Sequence, residues 1–228
     1  MISGTNDLLP FIELETAAHP VHTIIWMHGL GADGSDFAPI VDELALPSIP
    51  AVRFVFPHAP MRSVSINRGM VMRAWYDYDI ADGSAGLQEN MASLRESQRA
   101  VQALVSHEMQ RGIKPENIVL AGFSQGGALA LFAGLRYPEK LAGVMALSCY
   151  LPAPRTLAEE AHPANFAVPI LMTHGVADNV IPITLAAASR EQLLGSGYPV
   201  EWREYGMAHT VCREEIQDIR NWLQRVLA

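Results

Sequence analysis

Gly122-Phe123-Ser124-Gln125-Gly126 fits the pattern Gly-x-Ser-x-Gly. An apolar run, Asn117–Gly122, precedes it and a helix-forming run follows it. A serine on a sharp strand-to-helix turn lifts its hydroxyl above a sheet, where it can attack a carbonyl. The turn strains the backbone, and a side chain at either glycine would collide with neighbouring elements. The helix start also points unpaired N–H groups toward the place where an oxyanion would form.

A serine hydroxyl is too weakly acidic to attack unaided, so it needs a base, and the base needs an orienting carboxylate. On this kind of turn the partners follow in chain order, acid and then histidine. The histidines after Ser124 are His162, His174 and His209. His162 lies in a Pro- and Ala-rich connection and reads as a surface residue. His174 precedes the only aspartate between Ser124 and His209, which is Asp178, so the order fails for it. His209 follows the run Val200–Tyr205 and is the base candidate. Asp178 follows the run Pro169–His174 and is the acid candidate. Taken singly, Asp178 reads equally well as a turn aspartate capping a helix, and His209 as a loop histidine. The oxyanion would need two amides, one from the residue after the nucleophile, Gln125, and one from the loop after an earlier strand. His28-Gly29-Leu30-Gly31 is such a loop, with Leu30 as the donor.

These positions require a sheet whose strand ends share one rim. The sequence supplies alternating elements. Strands are expected at His22–His28, Val52–Phe56, Asn117–Gly122, Leu141–Ser148, Pro169–His174 and Val200–Tyr205. Helices are expected at Asp36–Leu44, Leu87–Arg111, Gln125–Tyr137, Ile183–Leu194 and Val211–Leu227. Strands with continuous apolar runs, separated by helices, mean a mostly parallel sheet covered on both faces. The expected class is a doubly wound α/β fold in one domain, 1–228. Ligands in such sheets bind beyond the carboxyl ends of the strands. Ile118–Leu135 is 18 residues without a charge, the length of a short membrane span, but its four glycines, Ser124 and Gln125 fit a buried strand and helix better.

Composition narrows the function. The 228 residues carry a formal charge of −8, and such a surface repels a phosphate backbone, so no nucleic-acid partner is expected. No Lys or Arg occurs before Arg53, which argues against a secretory signal, and no integral membrane segment is expected. The 2 cysteines, Cys149 and Cys212, form no motif and read as free thiols in a reducing compartment. The 8 histidines include no His-Glu-x-x-His pattern, and no metal site is expected.

The chain resembles the phospholipase/carboxylesterase group of α/β-hydrolases, which includes acyl-protein thioesterases and lysophospholipase-like carboxylesterases. The resemblance covers nearly the whole chain. It is carried by His28-Gly29-Leu30-Gly31, Pro57-His58-Ala59-Pro60, Trp75-Tyr76-Asp77, Gly122 to Ala128, His174-Gly175 with Asp178 and Pro182, and His209. It implies a cytoplasmic serine hydrolase without cofactor, often a homodimer. It assigns Ser124, Asp178 and His209 as nucleophile, acid and base, the amides of Leu30 and Gln125 as oxyanion donors, and Trp75 to the neighbourhood of the acyl groove. A large aromatic is more often a core plug, and Trp75 can be read that way too. Met61, Met70, Met72 and Met91 could line an adaptable groove or simply fill core gaps.

One position departs from the family pattern. Glycine usually precedes the histidine, and here Ala208 does. A positive φ there would strain the loop by roughly 1–2 kcal/mol. The connection between the strands ending at Ser148 and starting at Pro169 is too short for a large lid domain. An open groove for esters of short to medium acyl chains is therefore expected, with a thioester, a lysolipid or an acylated protein as the alternative substrate. Two other classes stay open at this point. A non-catalytic ligand receptor on the same fold would show a damaged triad or a large lid. A dienelactone-type hydrolase would carry cysteine at 124.

Overall fold

The computed structural model describes residues 8–46, 48–80 and 87–228. Seven strands form the central sheet: β1 (Phe11–Glu15), β2 (His22–Met27), β3 (Val52–Pro57), β8 (Ile118–Phe123), β9 (Gly143–Leu147), β10 (Ile170–Gly175) and β11 (Val200–Tyr205). Two hairpins lie apart from it, β4 (Met61–Val64) with β5 (Met70–Arg73), and β6 (Tyr78–Ile80) with β7 (Leu87–Glu89). The helices are α1 (Ile40–Leu44), α2 (Met91–Gln110), α3 (Gln125–Gly134), the short α4 (Leu157–Glu160), α5 (Ile183–Gly195) and α6 (Arg213–Val226).

The sheet runs β1-β3-β2-β8-β9-β10-β11. β1 pairs antiparallel with β3, and every other neighbouring pair is parallel. The apolar runs are continuous because both faces are covered. Side chains alternate between two cores. Ile25, Met27, Leu120, Val144 and Met172 face the core under α2 and α3, while Ile24, Trp26, Val119, Met145 and Leu171 face the one under α1 and α6. All ten are fully or almost fully buried. Among the described residues no helix is long and apolar enough to cross a membrane, and no large lid domain sits over the sheet. The charge-free stretch from Ile118 becomes β8 and α3, as expected.

Several elements differ from the sequence expectation, two helix starts for a local reason and one strand for a long-range one. The helix expected from Asp36 begins only at Ile40. Pro39 disfavours helical backbone at the residue before it, and Asp33 instead caps a turn by accepting from the Ser35 amide and hydroxyl at 2.7 and 2.6 Å. The helix expected from Leu87 begins at Met91. Asn90 is its N-cap, accepting from the Ser93 amide at 3.0 Å, and the three residues before Asn90 pair with β6. β1 is an addition: Phe11–Glu15 alternates as an edge strand whose acidic residues meet Arg53 and Arg111. The span 58–86 was given no elements by the sequence; its described part holds the β4–β5 hairpin and β6, and residues 81–86 lie outside the described residues.

Candidate active site

Ser124 stands between β8 and α3 with φ +54 and ψ −121, a conformation rare for any residue with a side chain. The packing shows why glycines flank it. A Cβ on Gly122 would lie 2.2 Å from the Gly126 carbonyl carbon, and one on Gly126 would lie 2.2 Å from the Met27 oxygen. The Ser124 amide donates to Leu147 O at 2.8 Å, tying the turn to β9.

The carboxyl ends of β10 and β11 bring the other two side chains to the same rim. The Ser124 hydroxyl lies 2.9 Å from Nε2 of His209, and Nδ1 of His209 lies 2.6 Å from Oδ2 of Asp178. With the hydroxyl donating to Nε2, Nδ1 carries the proton and donates to the carboxylate. Asp178 is fixed by its own turn, its Oδ1 accepting from the amides of Val180 and Ile181 at 2.8 and 2.9 Å. Burial pushes its pKa up, but the hydrogen bond from His209 and the two amides outweigh burial and hold it below the usual carboxylate value. The acid and base loops touch through backbone: Ala177 N donates to Met207 O at 3.0 Å, and a Cβ on Gly175 would meet that oxygen at 2.3 Å. Ala208, the departure noted in the sequence, does not adopt positive φ. The strain foreseen for it is absent, and its side chain is exposed.

His174, set aside on chain order, is fully buried behind the acid. Its Nε2–H donates to Ile181 O at 2.8 Å and lies 3.5 Å from Asp178 Oδ2. It braces the acid's turn and does not approach Ser124. Phe123 packs its ring on the imidazole of His209, with centroids 4.7 Å apart, and on Phe37 at 5.6 Å.

Leu30 and Gln125 both line the same groove as Ser124, and among the described residues neither backbone N–H has an acceptor. Gly31, next to Leu30, has φ +79, which lets the loop turn back toward Arg73. Trp75 is placed elsewhere than the acyl groove. It is fully buried, its indole N–H donates to His28 O at 2.8 Å, and it does not border the groove. Of the four methionines considered, only Met91 reaches the groove; Met61 and Met70 are exposed on the β4–β5 hairpin.

The groove holds about 1160 Å³ and its wall is mostly apolar. Phe37, Tyr150, Leu151, Val180 and Leu185 form much of it. None of these was singled out from the sequence. Tyr150 and Leu151 lie just beyond the end of β9, after Ser148 and Cys149, so the same strand-end rule that located Asp178 could have found them.

Comparison with known proteins shows the family. The phospholipase/carboxylesterase family model matches residues 11–227. An acyl-protein thioesterase 1 from Gibberella zeae is 37% identical over 231 residues, covering 98% of this chain and 98% of that one. A probable carboxylesterase from Oryza sativa subsp. japonica is 34% identical, covering 96% of this chain and 83% of that protein. Among solved structures, Arabidopsis thaliana SOBER1 superposes with TM-score 0.84 at 31% identity, covering 91% of this chain and 99% of that one. Zea mays acyl-protein thioesterase 2 gives 0.81 at 28% identity, covering 96% and 100%. The chain belongs to the phospholipase/carboxylesterase family and has its α/β-hydrolase fold.

Proposed function

We propose that the chain is a serine hydrolase that cleaves carboxylic esters of short to medium acyl chains through an acyl-enzyme on Ser124. The observation that carries this is the unbroken hydrogen-bonded series from the Ser124 hydroxyl through His209 to Asp178, at 2.9 and 2.6 Å, opening on an apolar groove. His209 takes the serine proton as Oγ attacks the carbonyl carbon, and Asp178 holds the tautomer and stabilises the imidazolium. The amides of Leu30 and Gln125 receive the oxyanion. The same proton then goes to the leaving alcohol or thiol, and water, deprotonated by His209, hydrolyses the acyl-enzyme. Each proton moves between side chains and substrate, so the reaction needs no cofactor.

A second reading has a specific support. Relatives of 37% and 39% identity are named acyl-protein thioesterase 1, and an open groove admits a chain carried on a larger molecule. The thioester of an acylated protein, or the oxygen ester of a lysolipid, is then the substrate, attacked in the same way at its carbonyl carbon. The two free thiols, one buried, fit a reducing, cytoplasmic setting.

The test is a hydrolysis panel of p-nitrophenyl esters, acyl-CoA, lysophospholipid and a palmitoylated peptide, with Ser124→Ala as blank. Ester turnover that vanishes in the variant is expected, together with fluorophosphonate labelling of the wild type alone. Near-normal p-nitrophenyl acetate hydrolysis by Ser124→Ala would overturn the assignment.

A further inference from the structure

Trp75 touches both loops that supply the oxyanion donors. Its indole Nε1–H donates to His28 O at 2.8 Å, and its backbone N–H donates to Gln125 Oε1 at 2.8 Å. Gln125 answers by donating Nε2–H to Tyr76 O, also at 2.8 Å. The Ser97 hydroxyl on α2 donates to Trp75 O, so the residue is anchored from behind as well. Trp75, Ser97, His28 and Gln125 are all at most 2% exposed. These bonds therefore form without competition from solvent, and no partner is easily replaced by water.

The same contacts orient the Leu30 amide. Nδ1 of His28 lies 2.7 Å from Gly29 O, and Nε2 lies 3.0 Å from the Ala59 amide. Ala59 N–H must donate, so Nε2 is bare and Nδ1 carries the proton that Gly29 O accepts. Burial pulls the pKa of His28 down, which keeps this neutral tautomer. The Gly29–Leu30 peptide is planar and trans, so its carbonyl and its N–H point opposite ways. Holding Gly29 O inward toward His28 turns Leu30 N–H outward, to the groove. His28 is in turn seated by Trp75, whose ring lies 5.1 Å from its own and whose N–H holds its carbonyl.

We propose that Trp75 is a positioning residue of the oxyanion hole: it clasps the His28–Leu30 loop to Gln125 and so sets the spacing of the two donor amides. This rests on the reading of those amides as oxyanion donors. It gives the indole N–H and the Gln125 carboxamide a task in the transition state that ground-state binding does not share. A misplacement near 1 Å in such a site costs on the order of 10²-fold in rate, close to the loss of one donor outright.

The experiment uses the full chain with Trp75→Phe, which keeps an aromatic ring but removes the indole donor, and Gln125→Met, which keeps length but removes both carboxamide bonds. Each is assayed on p-nitrophenyl butyrate and titrated with two probes. One is an alkyl trifluoromethyl ketone, to whose carbonyl the Ser124 oxygen adds; the C–O bond forms, the carbonyl π pair becomes the oxyanion, and the serine proton passes to His209. The other is the alkyl alcohol of the same chain length, which fills the groove and forms no adduct.

Both variants are expected to lose about 10–100-fold in kcat. KM and alcohol affinity should stay within about 3-fold, and ketone affinity should fall by the same factor as kcat/KM. Folded variants that keep wild-type kcat and ketone affinity overturn the clasp. So do variants that lose alcohol affinity as steeply as kcat, since that is general collapse of the site. If Trp75→Phe does not fold, Gln125→Met decides. Ser124→Ala run alongside separates the two ideas. If it stays active, the hydrolase reading itself fails; if it is dead while both clasp variants behave as wild type, only the clasp fails.

Discussion

The ring of Phe123 lies 4.7 Å from the imidazole of His209, centroid to centroid, although 85 positions separate His209 from the serine that follows Phe123. Phe123 therefore packs against the imidazole that faces the Ser124 hydroxyl. Phe123→Ala would leave the imidazole free to swing from Oγ. A loss of about 10–100-fold in kcat/KM is expected, given the cost of small misplacements. Steady-state assays against an ester, with fluorophosphonate labelling rates as a second readout, check this; unchanged rates would show that the ring does not hold the base.

Asp178 offers Oδ2 to His209 and Oδ1 to two amides, so the carboxylate is oriented from both sides. In Asp178→Asn the oxygen can still serve the amides, but the NH₂ then faces Nδ1 and favours the wrong imidazole tautomer. A drop of about 10⁴-fold in kcat is expected, with little change in fold. Because the folded pKa of Asp178 is lowered, its stabilising contribution is present above the ordinary aspartate pKa and is lost as pH falls through the lower, folded one. The wild type should thus lose stability on strong acidification more steeply than Asp178→Asn. Urea midpoints measured below neutral pH decide it.

Glu215, on the first turn of α6, behaves in the opposite sense. It is fully buried against Thr173, its Oε2 has no partner among the described residues, and burial pushes its pKa up to about 7. A raised carboxyl pKa means that stability is full below the unfolded value and declines as pH rises through the folded one. Between pH 5 and 8 this group should cost the wild type roughly 2–3 kcal/mol, at 1.36 kcal/mol for each pKa unit. Glu215→Gln should flatten that slope. Chemical denaturation of both proteins at the two pH values tests it, and parallel slopes would refute the claim.

Ala208 needs no glycine, because its backbone has negative φ. Ala208→Gly is expected to keep kcat within about 3-fold and to lower stability by about 0.4–1 kcal/mol through the entropy of the unfolded chain. A marked gain in activity would mean that alanine does strain the loop.

Gly126 leaves no room for a side chain, since an added Cβ would sit 2.2 Å from Met27 O and 2.6 Å from His28 O. Both atoms are backbone and cannot turn aside. Gly126→Ala should cost at least about 3 kcal/mol or prevent folding, and any soluble fraction should be inactive. Thermal melts and ester turnover report the two effects separately.

The site was readable from the sequence where one short segment contains the whole cause. Strand, turn and helix around Ser124 are adjacent in the chain, and the glycines that permit the turn stand beside it. Asp178 and His209 could be placed because each follows a strand, and parallel strands deliver their ends to one rim. The seven-stranded order, with β1 reversed at its edge, rests on pairings between distant segments. β1 went unseen because its partner β3 and the arginines that meet its acids lie 38 to 98 positions away.

Trp75 shows the boundary most clearly. Its neighbours in the chain mark a family motif, and a large aromatic beside a groove makes an obvious wall. Which way the indole faces depends on His28 O, which accepts from its Nε1–H, and on Gln125 Oε1, which accepts from the Trp75 backbone N–H; both come from the ends of two other strands and hold the residue inward. The groove itself is composed the same way, from Phe37 and Tyr150 on separate loops and Leu185 on α5. Sequence determines what each segment can do alone: extend, coil, turn sharply, or present a nucleophile. Which surfaces those segments share is decided by packing, because burial is a property of the assembled molecule and no single stretch of chain carries it.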